Sequence, residues 1–284
     1  MPTNTLLRLA VLSHYWLASL CLLLLAQSGT AAEFSLFLGQ EHWQYKEFNH
    51  QDKELDRETG WLRQVGVAAL VDATANIKIN VHLARATGVL KYDGQTQTGI
   101  PHQTHTDTHS TFYALTGRYY WDTPQHLTQQ LYAGFGLQHQ KWSRKIRTAG
   151  KVRHLNEYYR WTGPRLEGGA VFLPHQPWRL ELGLAAAWLN GDMAVDLTDM
   201  PSRADAYGRP VVKLRNGYEI SGTAQLAWLL TEHVQLVLRH ELGYRHFPAT
   251  DKVSARNSRS TLTLHEPRSN NFYYSYGVGI AYAF

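Results

Sequence analysis

The residues best equipped for chemistry gather in HQTHTDTH, His102 to His109. In an extended segment alternate side chains share a face, so His105, Asp107 and His109 point the same way, and a bend would bring His102 toward them. Imidazole and carboxylate ligands suit zinc, nickel or copper, which makes the four a candidate metal group. Their spacing matches no named metal motif, and a chain with 15 histidines forms such clusters by chance, so a solvated loop is the competing reading. A second candidate is acidic: Asp93, in Tyr92-Asp93-Gly94, together with Asp196 and Asp199. A carboxylate that activates water needs its partner within hydrogen-bond reach, yet no histidine stands beside any of these. Asp93-Gly94 is equally a turn signal at the tip of a hairpin. The third candidate is the run KWSRKIRTAGKVR, whose Lys141, Arg144, Lys145, Arg147, Lys151 and Arg153 form a cationic rim suited to lipopolysaccharide phosphates, with a solvated loop as the competing reading. The first long polar stretch is instead acidic, with Asp52, Glu54, Asp56 and Glu58.

The elements that would position these residues are legible from the two ends. The last segment, NFYYSYGVGIAYAF, places Phe272, Tyr274, Tyr276, Val278, Ile280, Tyr282 and Phe284 on one face of a strand. Ser275, Gly277, Gly279, Ala281 and Ala283 fall on the other, so one face suits lipid and the other a crowded lumen. At the start, Arg8, an apolar run from Leu17 to Ala26 and the small residues Thr30-Ala31-Ala32 read as a cleavable signal peptide over 1–32, which leaves 33–284 as the mature chain. Cys21 is the only cysteine and lies inside that leader, so neither disulfides nor thiol chemistry are expected. The formal net charge of +5 loses one unit with Arg8 and is too mild to imply nucleic acid. No later stretch has the roughly 18 continuous apolar residues of a membrane helix.

Between the ends, alternating segments are joined by short connections near Asp72–Asn76, Asp122–His126, Pro174–Pro177 and Thr231–His233. Long polar ones lie near Lys46–Gly60, Asp93–His105, Arg144–Asn156, Asp196–Arg215 and Pro248–Asn270. The pattern predicts an all-β, transmembrane, antiparallel up-and-down barrel of about ten strands, with short periplasmic turns and long extracellular loops. Trp121, Trp178, Trp228 and Phe284 would form one interfacial girdle, and Trp142, Tyr158, Trp188 and Tyr244 the other. Several segments exceed the roughly 9 to 11 residues that cross a bilayer, so the barrel should protrude from the outer leaflet. Charges predicted to face inward include Lys78, Arg118 and Arg245 and three Arg-x-Glu pairs: Arg165 with Glu167, Arg179 with Glu181, and Arg239 with Glu241. Buried charge must be paired, so a cross-strand ion-pair network should fill the lumen. A barrel of this size filled with such side chains leaves little room for a general-diffusion pore.

In strand number, alternation of connections and mature length the chain resembles the omptin family, ten-stranded outer-membrane aspartyl proteases. That resemblance implies an aspartate pair on one wall facing an Asp-His pair on the opposite wall, with water activated between them. Tyr92-Asp93-Gly94 falls where the aspartate pair would begin, but no second Asp follows at short spacing. Asp196 and Asp199 fall where the Asp-His pair would be, but no His adjoins them. The protease activity is therefore not carried over. The expected protein is a monomeric, non-enzymatic barrel of the bacterial outer membrane, without a cofactor, whose loops bind an extracellular ligand, a surface or lipopolysaccharide. Its other partners would be outer-membrane lipid and, during biogenesis, periplasmic chaperones and the barrel-assembly machinery. The competing readings are a hydrolase with a divergent site built from Asp93, His105, Asp107, Asp196 and Asp199, and a narrow substrate-selective channel.

Overall fold

A computed structural model describes residues 32–95, 100–123, 129–149, 154–172, 177–198, 207–256 and 261–284. The signal-peptide reading concerns residues that, Ala32 apart, lie outside this set. The strands are β1 (Ala32–Phe48), β2 (Glu54–Asp72), β3 (Ile77–Gln95), β4 (Pro101–Asp122), β5 (Gln129–Ile146), β6 (Leu155–Phe172), β7 (Trp178–Asp196), β8 (Val211–Leu229), β9 (Val234–Phe247), β10 (Val253–Arg256), β11 (Thr261–Leu264) and β12 (Arg268–Ala283). Ten of them close an antiparallel barrel in the order β1-β12-β9-β8-β7-β6-β5-β4-β3-β2, while β10 and β11 pair only with each other. Closure comes from β1, which pairs with β2 on one side and with β12, from Glu33↔Ala283 to Phe48↔Arg268, on the other. No strand edge of the barrel is left open, which a lipid-exposed sheet requires.

The barrel strands run from 14 residues in β9 to 22 in β4, whereas a tilted strand crosses a bilayer with about 9 to 11. Much of what reads as polar loop is therefore strand. Asp93-Gly94 is no turn: β3 continues to Gln95, and Asp93 lies opposite Gln103 on β4 and Arg57 on β2. Arg144 likewise sits within β5, opposite Thr108 and Glu157. Polar composition does not oppose pairing here, because each backbone group finds its partner on the neighbouring strand and the outward side chains meet water.

On the outer wall, Leu38, Val65, Leu115, Phe135, Leu184, Ile220 and Val278 are all exposed, and they form an apolar belt at the short-turn end. Trp121, Trp178, Trp228 and Phe284 are exposed along its lower margin, and Tyr158 and Trp188 are exposed on the opposite side, with Tyr244 half-buried. Trp142 departs from its expected place in the upper girdle. It is 3% exposed and stacks inside against Tyr159, with ring centres 4.6 Å apart. Strand parity explains this, since Phe135 and Leu137 face out on β5 and an even-numbered residue of the same strand must face in.

Inside, the upper half of the barrel holds the main hydrophobic core, built on Trp43, Tyr45, Trp142, Tyr159, Trp161 and Phe247. Ala255 and Leu264, from the β10–β11 hairpin, belong to the same cluster, with Val253 and Leu262 packed against it. The hairpin therefore caps the lumen from the last long connection. Two glycines make room for inward rings on the adjacent strand: a Cβ at Gly66 would strike the Phe37 ring, and one at Gly243 the Tyr273 ring.

Candidate functional site

The lumen is stacked in polar layers with aromatic rings among them, and Gln138 links the lower layer to the next by donating to Glu219 at 3.4 Å. In the lowest, Arg118 bonds Glu167 and, at 3.1 Å, Glu181; Thr116 donates to Glu167 at 2.7 Å. Arg165 pairs with Glu167 at 3.2 Å and donates to Gln138 at 2.9 Å, and Arg239 pairs with Glu241 at 3.1 Å. Two of the three Arg-x-Glu pairs thus close on themselves. Arg179 instead reaches across to Glu33 of β1 at 2.8 Å, while Arg118 bonds Glu181. These groups surround a cavity of only about 80 Å³.

One layer up, Arg245 donates to Glu219 and Gln140, both at 2.6 Å, and Gln140 donates to Ser110 at 2.6 Å. The guanidinium lies 4.7 Å from the centre of the Trp161 ring and 5.9 Å from that of Trp43, so both ring faces and carboxylate hold it.

The uppermost layer is the most unusual electrically. Arg144, 2% exposed, bonds Glu47 at 2.8 Å, Glu157 at 2.9 Å, Glu58 at 2.9 Å and Asp56 at 3.5 Å. Glu266, carried in by the last long connection, accepts from Tyr45 and Tyr159, each at 2.9 Å. Thr106 donates to Glu58 at 2.7 Å, and Tyr92 to Asp56 at 3.4 Å. Five carboxyl groups from β1, β2, β6 and the last connection thus converge around a single guanidinium. They cannot all stay charged out of water. Burial raises the proton affinity of Asp56, with the Glu47 charge adding to it. Burial likewise raises Glu157 against the pull of Arg144, and Glu266 is raised by burial and by its neighbours Glu47 and Glu157. Arg144 itself stays charged: burial opposes its proton, but Glu157 and Glu58 hold it more strongly. The cluster links the cap, through Glu266, to Tyr45 and Tyr159 of the wall.

The residues singled out from the sequence are placed differently. Asp93 faces outward and accepts from Gln103 at 3.3 Å. Asp196 accepts from Thr198 and Arg209, on a strand far around the barrel from Asp93. With β3 and β7 on separate walls and Asp93 pointing away from the lumen, the two cannot meet over a water. Asp199 lies outside the described residues. The candidate metal group is divided: His105, Asp107 and His109 share the outer face as their spacing predicts, but Asp107 is clasped by Arg147 at 3.1 and 2.6 Å, and His102 is buried on the inner face beside Tyr92. Among the described residues no three His, Cys, Asp or Glu side chains are arranged to hold a metal ion. Of the basic run, Lys141 and Lys145 are exposed and Arg147 is paired with Asp107, but Arg144 points inward, so it is no rim cation. Lys151 and Arg153 lie outside the described residues. Sequence reading missed the upper cluster; its one available signal was the outward parity of β5, which continued four residues past Gln140 places Arg144 inside.

No protein-family model matches the sequence, and no curated protein does. Among solved structures, the outer-membrane protease OmpT of Escherichia coli matches with a TM-score of 0.64 at 10% identity, over 91% of this chain and 98% of that one. The translocator domain of the autotransporter NalP from Neisseria meningitidis covers 97% of this chain and 98% of that one at 12% identity, with a TM-score of 0.42. OprG of Pseudomonas aeruginosa covers 90% and 97% at 9% identity, with a TM-score of 0.39. The first likeness shows the fold, a ten-stranded outer-membrane barrel, and nothing of activity; the other two are too distant to carry an argument.

Proposed function

We propose that this is a sealed, non-conducting barrel of the bacterial outer membrane, exported by a leader removed after Ala32, whose protruding half is a rigid stand presenting charged outer walls and connections to a ligand, a surface or lipopolysaccharide. The observation that carries this reading is the filled lumen. Ion pairs close its lower layer, aromatic rings and Arg245 close the middle, and Arg144 with five carboxyls and the β10–β11 hairpin close the top. Strands that continue as a paired sheet beyond the bilayer hold that stand stiff, so specificity resides in the outward residues at its rim. The test is conductance in planar bilayers together with turnover of peptide and phospholipid by the refolded barrel, its folding verified by heat-modifiable gel mobility. The reading expects closed bilayers and no turnover. Steady single-channel current would replace it with the channel.

Hydrolysis is the second reading, favoured by one feature: Asp56 and Glu157 bond one guanidinium out of water and cannot both ionise freely, so one can stand protonated as acid beside the other ionised as base. Turnover lost in Asp56→Asn but kept in Asp93→Ala would establish it.

A further inference from the structure

An aromatic chamber lies beneath the hairpin that caps the lumen, and the hairpin is built to move as a piece. Phe247 ends β9 and Arg268 begins β12, with Pro248 and Pro267 immediately outside them. A proline has no N–H with which to extend the ladder, so the chain leaves the wall at both points. Between them the Thr250 N–H donates to the Glu266 carbonyl at 2.9 Å and the Glu266 N–H to the Thr250 hydroxyl at 2.8 Å, which ties the base of the segment together. The register sets Val253 opposite Leu264 and Ala255 opposite Leu262, so these four share the inner face, while Ser254, Arg256, Thr261 and Thr263 are exposed on the other. Among the described residues no barrel strand pairs with the hairpin. A lone two-stranded sheet is marginal in water, so its apolar face and the bonds from Tyr45 and Tyr159 to Glu266 are what hold it down.

The floor under it carries polar groups with nothing to bond. Asn271 of β12, flanked by Tyr45 on β1 and Arg245 on β9, is 4% exposed, and neither its amide nitrogen nor its oxygen has a hydrogen-bond partner among the described residues. Nη1 of Arg245 and the indole N–H groups of Trp142 and Trp161 are likewise buried and unpartnered. All four side chains line one cavity of only about 10 Å³, which Glu266 and Phe247 also line. That is room for a single water, whose two lone pairs cannot serve every donor present. The chemistry of the floor selects a guest. A purely apolar one would leave the N–H groups unbonded, and a cation would face donors. An anion would meet Glu157 and Glu266 across Tyr159, with Arg245 already bonded to Glu219. A neutral ring that bears hydroxyls and has flat C–H faces satisfies the donors and packs on Trp161 and Phe247, whose centres are 5.4 Å apart.

We propose that the β10–β11 hairpin is a lid, hinged at Pro248 and Pro267, over a binding site for a neutral, soluble saccharide that enters by the outer mouth. Opening withdraws Val253, Ala255, Leu262 and Leu264 from the chamber and frees Tyr45 and Tyr159 from Glu266. The sugar ring takes the place of those side chains, Asn271 and Arg245 bond its hydroxyls, and the aromatic rings cover its faces. The site lies inside the mouth, apart from the outward rim of the stand, and the ion-pair layers below stay closed, so the barrel binds without conducting.

The test is the intrinsic tryptophan fluorescence of the barrel refolded in phosphocholine micelles, which carry no sugar, titrated with glucose, galactose, mannose, N-acetylglucosamine, maltose and cellobiose. Glucuronate, glucosamine and benzyl alcohol serve as anionic, cationic and apolar controls. A neutral saccharide should give a saturable change at a concentration about tenfold or more below any control. Asn271→Leu should weaken that binding about tenfold, and Trp161→Phe, which keeps a ring and loses the N–H, severalfold. Glu266→Ala releases the lid and should tighten binding roughly tenfold, a change of sign that a merely structural role would not give. Trp188→Phe, on the outer wall, should change nothing. Heat-modifiable mobility establishes that each variant is folded. The proposal is overturned if no saccharide gives a saturable response in either the natural chain or Glu266→Ala, or if a control binds equally well. A response undiminished in both Asn271→Leu and Trp161→Phe, or weakened in Glu266→Ala, overturns it as well. Binding is read in fluorescence and not in current or turnover, so its failure is separable from failure of the sealed-barrel reading.

Discussion

Replacing Arg144 by methionine removes the only cation that, among the described residues, bonds Glu47, Asp56, Glu58 and Glu157, while keeping most of the side-chain volume. At an effective dielectric of about 20, each contact near 2.9 Å is worth ~6 kcal/mol of gross attraction, most of it cancelled by the desolvation of both partners. What remains is the penalty for stranding buried carboxylates, and removing one partner of such a group costs about 3–5 kcal/mol. The carboxyls can escape part of that penalty by taking up protons, which depends on pH. The expected loss of unfolding stability in Arg144→Met is therefore near the full figure at pH 8 and clearly smaller at pH 5. Denaturant unfolding of the refolded barrel, followed by tryptophan fluorescence at both pH values, measures it. A loss below about 1 kcal/mol at pH 8, or the same loss at both pH values, would refute the reasoning that Arg144 neutralises the cluster.

The Glu266 carboxyl has a folded-state proton affinity raised above its unfolded value, so its stabilising contribution is complete at acid pH, below the unfolded value near 4.5, and is lost as pH rises through the folded value. Hydrogen exchange in Val253–Arg256 and Thr261–Leu264 should accordingly quicken with rising pH beyond the intrinsic rate, and Glu266→Gln should flatten that excess. Trp142→Ala should cost about 3–5 kcal/mol, the price of a large buried ring, measurable by the same unfolding assay. The outward residues are expected to be silent: Asp93→Ala and His105→Ala should each change stability by no more than about 0.5 kcal/mol, and neither should alter any peptide turnover.

Strand number, closure and the lipid-facing positions were readable because lipid demands an uninterrupted alternation, as in Phe272 to Phe284, whose outward members are exposed or half-buried as expected. Above the bilayer that demand lapses. Both walls of a strand can then be polar, and stretches such as Asp93–His105 and Arg144–Asn156 look like loops although Asp93–Gln95, Pro101–His105, Arg144–Ile146 and Leu155–Asn156 are paired strand. The inner ion pairs were half legible. Arg165 and Arg239 bond the glutamate two residues on, a contact local spacing can foretell, whereas Arg179 finds Glu33, 146 residues away, which only the closed barrel brings near. The upper cluster was hidden for a similar reason. Its carboxyls come from four separate stretches, and the arginine they surround sits in a run whose composition suggested an exposed patch.

The capping hairpin belongs to the connection that leads directly into β12, and Glu266 stands two residues before that strand begins. β12 is also the strand that zips onto β1 to complete the cylinder. Zipping the wall and plugging its mouth are thus consecutive acts of one short segment. Prising β12 from β1 would pull Glu266 off Tyr45 and Tyr159 and draw the hairpin from the aromatic cluster, so the seam of this barrel is fastened twice, once along its backbone and once through its stopper.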